Sequence, residues 1–159
     1  MPTWHYSSNL AEERPERTAK AMIWDAPISP KEAAEVAREL RGKMLNDAIK
    51  FLERVIRMEE AVPLRWYNGK VAHKRGLAAK AGVPSGRYPV KVAKYYLKLL
   101  KSVKNNAENK GLDEERLKIV HIASHKGRTL KRWMPRAFGR ATPEFERRTH
   151  LEVIVEEVK

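Results

Sequence analysis

Three absences in this 159-residue chain each remove a class of protein. Cysteine is missing, so neither a disulfide framework nor a thiolate metal site can form. No apolar run approaches the roughly 20 residues of a membrane-spanning helix, and residues 1–20 lack the apolar core of a secretory signal. Residues 61–107 contain neither aspartate nor glutamate. We therefore expect a cytoplasmic protein that needs no membrane and has one strongly basic surface.

Positive charge is what the chain has in excess. It carries 33 Lys and Arg against 20 Asp and Glu, a formal net charge of +13. Residues 1–60 have 10 basic and 11 acidic side chains, residues 61–107 have 11 basic ones, and residues 108–159 have 12 basic and 9 acidic. Within the last part, residues 124–149 hold 8 basic and 2 acidic side chains. A chain with this much positive charge repels itself unless a polyanion neutralises it. We therefore expect nucleic acid as the partner.

Apolar periodicity predicts two short helices in the first third of the chain. Ser29 is a typical N-cap, and Glu32 three residues later completes a capping box around a proline in the first turn. Apolar residues then recur at helical spacing over 33–40. After a break at Gly42, a second amphipathic stretch covers 45–58.

A third helix begins at Pro89, and two of its faces differ in chemistry. One face is apolar, whereas another carries cations at spacings of three and four residues. These cations are Lys91, Lys94, Lys98 and Lys101. No acidic residue pairs with them at helical spacing before Glu108. A solvated face usually mixes both signs, so we predict that this stripe binds phosphate rather than water alone.

The segment 61–88 is rich in glycine and proline, and we predict a long irregular loop with a functional role. Its candidate RNA-binding cations are Arg65, Lys70, Lys74, Arg75, Lys80 and Arg87. Trp66, Tyr67 and His73 add flat rings to the same loop. Such rings either stack on unpaired bases or pin the loop to the core, and the sequence favours neither reading for Trp66 and Tyr67.

Strands are predicted at three places. Thr18 to Ile28 is typical of a short strand or extended arm, and period-two apolar runs follow Leu117 and Leu151. The stretch 124–149 between the last two runs is predicted to be a basic β-hairpin. Arms of about 18 residues at ~3.3 Å each would reach roughly 60 Å, so most of the hairpin must project from the body. We expect the two period-two runs to be antiparallel strands packed on the helices, within one domain or one domain with an appendage.

The hairpin concentrates arginine and lysine where the chain gives up core contact. Its candidate RNA-binding cations are Lys126, Arg128, Lys131, Arg132, Arg136, Arg140, Arg147 and Arg148. Arginine binds phosphate oxygens in pairs and stacks on bases. A lone two-stranded ribbon is only marginally stable in water, so we expect an external partner to order it. A disordered basic tail is disfavoured because the strand at Leu151 ties down the far end.

Catalysis and metal binding find little support in the sequence. His121 and His125 have the spacing of a helical metal pair, but on a strand such residues lie roughly 13 Å apart. We expect His121 and His150 to face each other across the hairpin base instead. Carboxylate clusters typical of two-metal nucleases and a phosphate-binding loop motif are both missing. We therefore expect no enzyme, no cofactor and no metal.

Two other functions remain as alternatives. One is an architectural protein that wedges duplex DNA with a β-arm, because Pro135 stands beside arginines at the tip. The other is an RNA-modifying or RNA-cleaving enzyme, whose turnover would depend on His121 or His150. Competition between duplex DNA and folded RNA separates the first alternative from RNA binding.

The hairpin also carries a spaced motif that resembles a known family. Lys131, the run Arg136-Ala137-Phe138-Gly139-Arg140 and the following His150-Leu151 resemble the signature of the universal large-subunit ribosomal protein family number twenty-two. Arg41-Gly42-Lys43 and the segment 105–108 are similar to further family positions. The segment 62–69 resembles the archaeal and eukaryotic branch in particular. The resemblance extends from about Thr18 to Val158.

This resemblance implies one α+β domain over 1–159, with about three helices on a three-stranded antiparallel sheet and a projecting hairpin. It also implies a structural role in the ribosome. The body would bind large-subunit rRNA at the subunit surface, and the protein would act as a monomer beside neighbouring ribosomal proteins. The hairpin would run inward between rRNA segments, and its tip would line the polypeptide exit tunnel and meet the nascent polypeptide. The tip residues that the resemblance implies are Arg132, Trp133, Met134, Pro135 and Arg136.

Overall fold

The structure is a computed structural model that describes residues 5–158, and these form five α-helices. The helices are α1 Leu10–Glu13, α2 Pro30–Leu40, α3 Leu45–Ile56, α4 Leu77–Ala81 and α5 Val90–Asn109. The sequence predicted α2, α3 and α5. It missed α1 and α4 because helices of 4 and 5 residues are too short to show an apolar period. The expectation of about three helices is therefore corrected to five.

The three longer helices bury the apolar stripes that predicted them. Leu40 of α2, Leu52 of α3 and Leu99 of α5 are all fully buried. Burying a side chain of that size stabilises a fold by about 1.5–3 kcal/mol. The start of α2 is only partly as predicted. Ser29 occupies the N-cap position and Pro30 the first turn, but no side-chain capping bond forms, so the predicted capping box is wrong.

The main sheet is antiparallel and has three strands in the order β1-β5-β4. Its strands are β1 Thr18–Ala26, β4 Leu117–Pro135 and β5 Ala141–Glu157. Two-residue strands, β2 Val62–Pro63 and β3 Gly86–Arg87, pair separately. Leu151, Val153 and Val155 of the central strand point into the helical core and confirm the period-two prediction for this run. The fold class is therefore α+β, with helices packed on one face of the sheet.

The predicted hairpin is not a separate element but the outer part of strands rooted in the sheet. The β4–β5 ladder runs from Leu117 opposite Glu157 to Pro135 opposite Ala141. A 3-10 turn, Ala137–Gly139, joins the two strands. Every residue from 131 to 147 is exposed. The interval 124–149 thus includes a buried inner portion, and the exposed ribbon is shorter than predicted.

The ladder changes register between Lys126 and Thr129, at the point where burial ends. Gly127 lies in this bulge. A Cβ added there would come within 2.9 Å of His150 Nε2 and 3.1 Å of the Arg148 carbonyl oxygen. Glycine therefore lets the two strands approach each other closely at the root of the ribbon.

Candidate nucleic-acid interface

The exposed face of α5 carries four cations without internal partners. Lys91, Lys94, Lys98 and Lys101 are all exposed, while the apolar face opposite them is buried. Across residues 5–158, no carboxylate lies within ion-pair distance of any of the four. Lys104, three residues after Lys101 on the same helix, does form an ion pair with Glu114 at 2.6 Å. The four lysines therefore form a line of uncompensated charge suited to closely spaced phosphates.

Of the eight predicted hairpin cations, two at the root are ion-paired, and the other six form no ion pair within residues 5–158. At the root, Arg128 pairs with Asp25 at 3.1 Å and Arg148 pairs with Glu146 at 3.1 Å. Further out, Arg136 donates a hydrogen bond from Nε to the Thr142 hydroxyl at 3.1 Å. The remaining predicted cations form no ion pair within the described part of the chain; they are Lys126, Lys131, Arg132, Arg140 and Arg147.

The hairpin tip exposes aromatic surface beside these cations. Trp133 packs edge-on against Phe145 across the ladder, with ring centroids 5.7 Å apart, yet it stays 60% exposed. Phe138 is 97% exposed and has a φ of 57°. A bulky residue in this left-handed conformation is strained by about 1–3 kcal/mol, and such strain is concentrated at functional sites. The tip therefore exposes a surface of mixed cationic and aromatic character.

The segment 61–88 is a closed and supported loop, not the irregular segment that the sequence predicted. The β2–β3 pair closes it at its base, and Val62, Leu64 and Leu77 are buried beneath it. Helix α4 forms its outer turn, and the Lys74 amide donates to the Pro84 carbonyl at 2.8 Å. The loop can therefore hold its outward side chains in fixed positions.

One buried carboxylate organises the part of this loop that carries the aromatic rings. Glu35 of α2 is 2% exposed, and its two oxygens accept three backbone N–H bonds. The donors are Arg65 at 3.2 Å, Trp66 at 2.7 Å and Tyr67 at 2.9 Å. Backbone amides, together with the Arg38 guanidinium 3.9 Å from one Glu35 oxygen, satisfy the buried charge, as a carboxylate away from water requires. Glu35 therefore positions the backbone of residues 65–67. The sequence did not reveal this role, because a buried glutamate in a helix cannot be distinguished from an exposed one by its pattern.

The rings themselves point outward. Trp66 is 72% exposed and Tyr67 44% exposed, so the backbone and not the rings pins the loop to the core. The Arg38 guanidinium lies 3.5 Å from the Trp66 ring centroid, a close cation–π contact. His73 is exposed and pairs as an isolated bridge with Ser85. Arg38 was missed because residues 1–60 are nearly neutral overall, although its spacing from Lys31 is helical.

The six predicted cations of the loop are not equivalent. Arg65 donates to the Ala81 carbonyl at 2.9 Å and lies 3.8 Å from Glu39, Lys80 pairs with Glu60, and Arg87 lies 3.8 Å from Glu32. Lys74 lies 5.2 Å from the Tyr88 ring centroid. Lys70 and Arg75 are exposed and form no ion pair within residues 5–158. Part of this predicted set therefore stabilises the loop itself.

Two of the histidines meet one carboxylate. His121 lies opposite Ile154 in the ladder, so the predicted pairing of His121 with His150 is wrong, and the register partner of His150 is His125. His121 Nε2 and His125 Nε2 lie 2.8 Å and 3.1 Å from the same oxygen of Glu152, which is fully buried. The two rings are therefore closer together than their spacing along the strand predicted. His150 instead accepts a hydrogen bond at Nδ1 from the Asp25 amide at 3.1 Å.

Glu152 is an ionised buried group. Burial raises the pKa of Glu152, but hydrogen bonds from Ser7, His121 and His125 outweigh it and lower this pKa to about 2. The Ser7 amide adds contacts at 3.3 Å to both carboxylate oxygens. The cluster therefore fastens the N-terminal segment to the outer face of the sheet.

Residues 5–158 contain no group of three or more His, Cys, Asp or Glu side chains able to hold a metal ion. Every helix in that same range is too short or too polar to cross a membrane.

Comparisons with known proteins give a consistent result. The family described as "Ribosomal protein L22p/L17e" matches residues 21–156. The chain is 76% identical to "Large ribosomal subunit protein uL22" of Ignicoccus hospitalis over 159 residues, which cover 100% of both chains. Identity to the protein of the same description is 63% over 157 residues in Hyperthermus butylicus, with 99% of each chain covered. In Methanocaldococcus jannaschii it is 53% over 143 residues, with 90% of each chain covered.

Proposed function

The chain belongs to the ribosomal protein L22p/L17e family, and from that premise we propose how it acts as a structural constituent of the large ribosomal subunit. It is a cytoplasmic ribosomal protein of translation and not an enzyme. The observation that supports the role most strongly is similarity over its full length to proteins described as large-subunit components. Its partners are accordingly rRNA and neighbouring ribosomal proteins.

Binding to rRNA is mainly electrostatic in this proposal. The α5 lysines, the free loop cations and the outer hairpin cations replace condensed counterions on closely packed phosphates. Backbone contacts of this kind carry no base code, so fit depends on the shape of the folded RNA. The compensated residues Arg65, Lys80, Arg87, Arg128 and Arg148 contribute less, because binding must first compete with their internal partners.

The hairpin is assigned the inward position. A single domain over 1–159 holds the ribbon at its root, and the ribbon passes between rRNA segments. The tip residues 132–136 then contribute to the wall of the polypeptide exit tunnel and contact the nascent polypeptide. The shared exposure of Trp133, Met134 and Phe138 at the projecting end supports this assignment, because neighbouring exposed apolar side chains are typical of contact surfaces.

The DNA-binding alternative gains no support from the comparisons, because the matched relatives are described as ribosomal proteins. The enzyme alternative fails on the same family membership. The histidines that it invoked are engaged with Glu152 and Asp25.

Charge removal on α5 tests the electrostatic part of the proposal. The double variant Lys94→Gln/Lys98→Gln should make the dependence of log K on log salt shallower by about 1.5, because each lost phosphate contact contributes about 0.7–0.9. Binding of the full chain to large-subunit rRNA is measured between about 50 and 200 mM salt.

A matched control is available at Lys50 on α3 and at Arg57, the residue after its end. Lys50→Gln/Arg57→Gln removes the same charge from exposed positions outside the predicted interface. We expect the control to change the slope far less. Equal slopes for the two double variants would mean that the α5 stripe is an ordinary solvated face, and would contradict its assignment.

A further inference from the structure

One face of α2 lines a cleft against the sheet. Lys31, Ala34 and Arg38 recur at spacings of three and four, so they share this face, and Arg41 follows directly after the helix ends. The small Ala34 leaves a cavity of about 220 Å³ between α2, Trp66 and residues 122–124 of β4. A second cavity of about 430 Å³ adjoins it through Ala34 and Ser124 and reaches Tyr67. The two together form a groove along α2, bordered by two exposed rings.

The charge of this groove is of one sign at its surface. Lys31 and Arg38 line it from α2, Arg41 lines it from the residue after α2, and Lys126 and Arg147 line it from the hairpin root. None of the residues lining either cavity is an aspartate or glutamate. The Arg41 guanidinium is oriented by a 3.2 Å hydrogen bond to the Ile122 carbonyl. A concave surface with five cations attracts an anionic chain of phosphates.

The rings supply a different kind of contact. The loop backbone is fixed by Glu35, so the exposed Trp66 ring is held in place without burial of its own. Arg38 covers part of this ring at 3.5 Å, and the ring remains 72% exposed. A rigid, exposed indole beside arginine is the arrangement on which an unpaired base stacks. A base inside a duplex cannot use such a ring, because its faces are already covered by its neighbours.

We propose that this groove binds an unpaired rRNA segment, with a base stacked on Trp66 and adjacent phosphates held by Lys31, Arg38 and Arg41. The site rests on the proposed rRNA binding but is distinct from the α5 and hairpin surfaces. Its ligand differs from theirs, because it requires a single-stranded nucleotide and not only phosphate charge. Tyr67, 44% exposed at the other end of the groove, offers a second ring to the same strand.

Two RNA probes separate stacking from charge. One is a ten-nucleotide single-stranded RNA, and the other is the duplex of that strand with its complement. Trp66→Ala should weaken binding of the single strand to the full chain about fivefold or more, since stacking contributes about 1–3 kcal/mol per base. Duplex binding should change less than twofold. Trp66→Phe, which keeps a ring, should restore most of the single-strand affinity.

The charged wall is tested with a matched pair. Arg38→Gln should weaken binding of the single strand more than Arg57→Gln, which removes the same charge from an exposed site directly after α3. Circular dichroism of each variant checks that the fold is kept, which matters most for Arg38, because it is half-buried and lies 3.9 Å from the buried Glu35. Equal losses for the two arginines would overturn the assignment of Arg38.

The failures of this site and of the proposed function give different results. If Trp66→Ala binds both probes like the unchanged protein, the stacking site is wrong and rRNA binding stands. If the unchanged protein binds neither probe nor large-subunit rRNA, the proposed function itself fails. A third outcome would overturn the proposal. If a polyglutamate peptide displaces the single strand at equal charge concentration, and Trp66→Ala abolishes binding of that peptide, the groove is a protein-docking site.

Discussion

The inner and outer parts of the β4–β5 ladder use the same backbone hydrogen bonding in opposite surroundings. Ile119, Ile122 and Val153 of the inner part are completely buried against the helices, whereas residues 131–147 are all exposed. Register is maintained across both, apart from shifts after Ile119 and after Lys126. The inner part is therefore stabilised by the core, and the outer part only by its own ladder and a partner.

The two parts of the hairpin therefore differ in role, because the inner part contributes to folding and the outer part is available for function. Two strands without a packed face are marginal in water, so the exposed ribbon contributes little to the stability of the body. Its cations would instead be stabilised when phosphates surround them. Changes in the outer part should then alter RNA binding and leave folding intact, and changes in the inner part should do the reverse.

Shortening the ribbon should have the largest effect on function. Leu130 and Glu146 are register partners, so Asn-Gly in place of residues 131–145 would close the ladder with a two-residue turn. The change removes Lys131, Arg132, Arg136 and Arg140. We expect a salt slope shallower by about 3 and loss of stable incorporation into large subunits, measured by reconstitution and sedimentation.

Thermal unfolding of the shortened protein provides the control. Because residues 131–145 contact little of the body, the free energy of unfolding should change by less than about 1 kcal/mol. Normal incorporation of the shortened protein would remove the ribbon from the rRNA interface. A large loss of stability would instead show that the outer part supports the core.

Two substitutions by alanine in β4 should test the same difference between the inner and outer parts of the ladder. Ile122→Ala opens a cavity in the core and should lower the free energy of unfolding by about 2–5 kcal/mol. Leu130→Ala, on the same strand beyond the Gly127 bulge, removes a half-buried side chain and should cost less than about 1.5 kcal/mol. Denaturant titration measures both. Similar losses would mean that burial does not end at the bulge.

Much of this architecture could be predicted from local pattern. The helical stripes of α2, α3 and α5 and the period-two runs at Leu117 and Leu151 are long enough to show their period. The helix α4 and the closed loop 61–88 could not be predicted in this way. They depend on Glu35 and on pairing between residues more than 20 positions apart, which no local pattern records.

The sequence predicted which segments of the candidate interface are basic, but not which of their cations have internal partners. Composition located the α5 stripe and the hairpin cations, and both are exposed. It could not show that Arg65, Lys80 and Arg87 are compensated, because their partners Glu39, Glu60 and Glu32 lie outside the basic segment. For the same reason the groove beside Trp66 was missed, since its cations come from α2 and from the hairpin root.

The smallest of these effects concerns Glu152, on the inner part of β5. Its pKa falls from 4.5 to about 2 on folding, so its contribution to stability is complete above pH 4.5 and is lost as the pH falls towards 2. Glu152→Gln should lower the free energy of unfolding at pH 7 by up to about 3 kcal/mol. Urea titrations at several pH values between 2 and 7 should show that this difference disappears at the acid end.

Glu146→Gln is the matched control in the outer part of the same strand. Glu146 is half-exposed and pairs with Arg148, so its loss should cost less than about 1 kcal/mol. If the two variants share one pH profile, Glu152 does not hold the N-terminal segment by its charge. If Glu152→Gln loses less stability between pH 4.5 and 2 than both the unchanged protein and Glu146→Gln, the buried carboxylate stabilises the inner ladder by its charge, and the exposed carboxylate of the outer ladder does not.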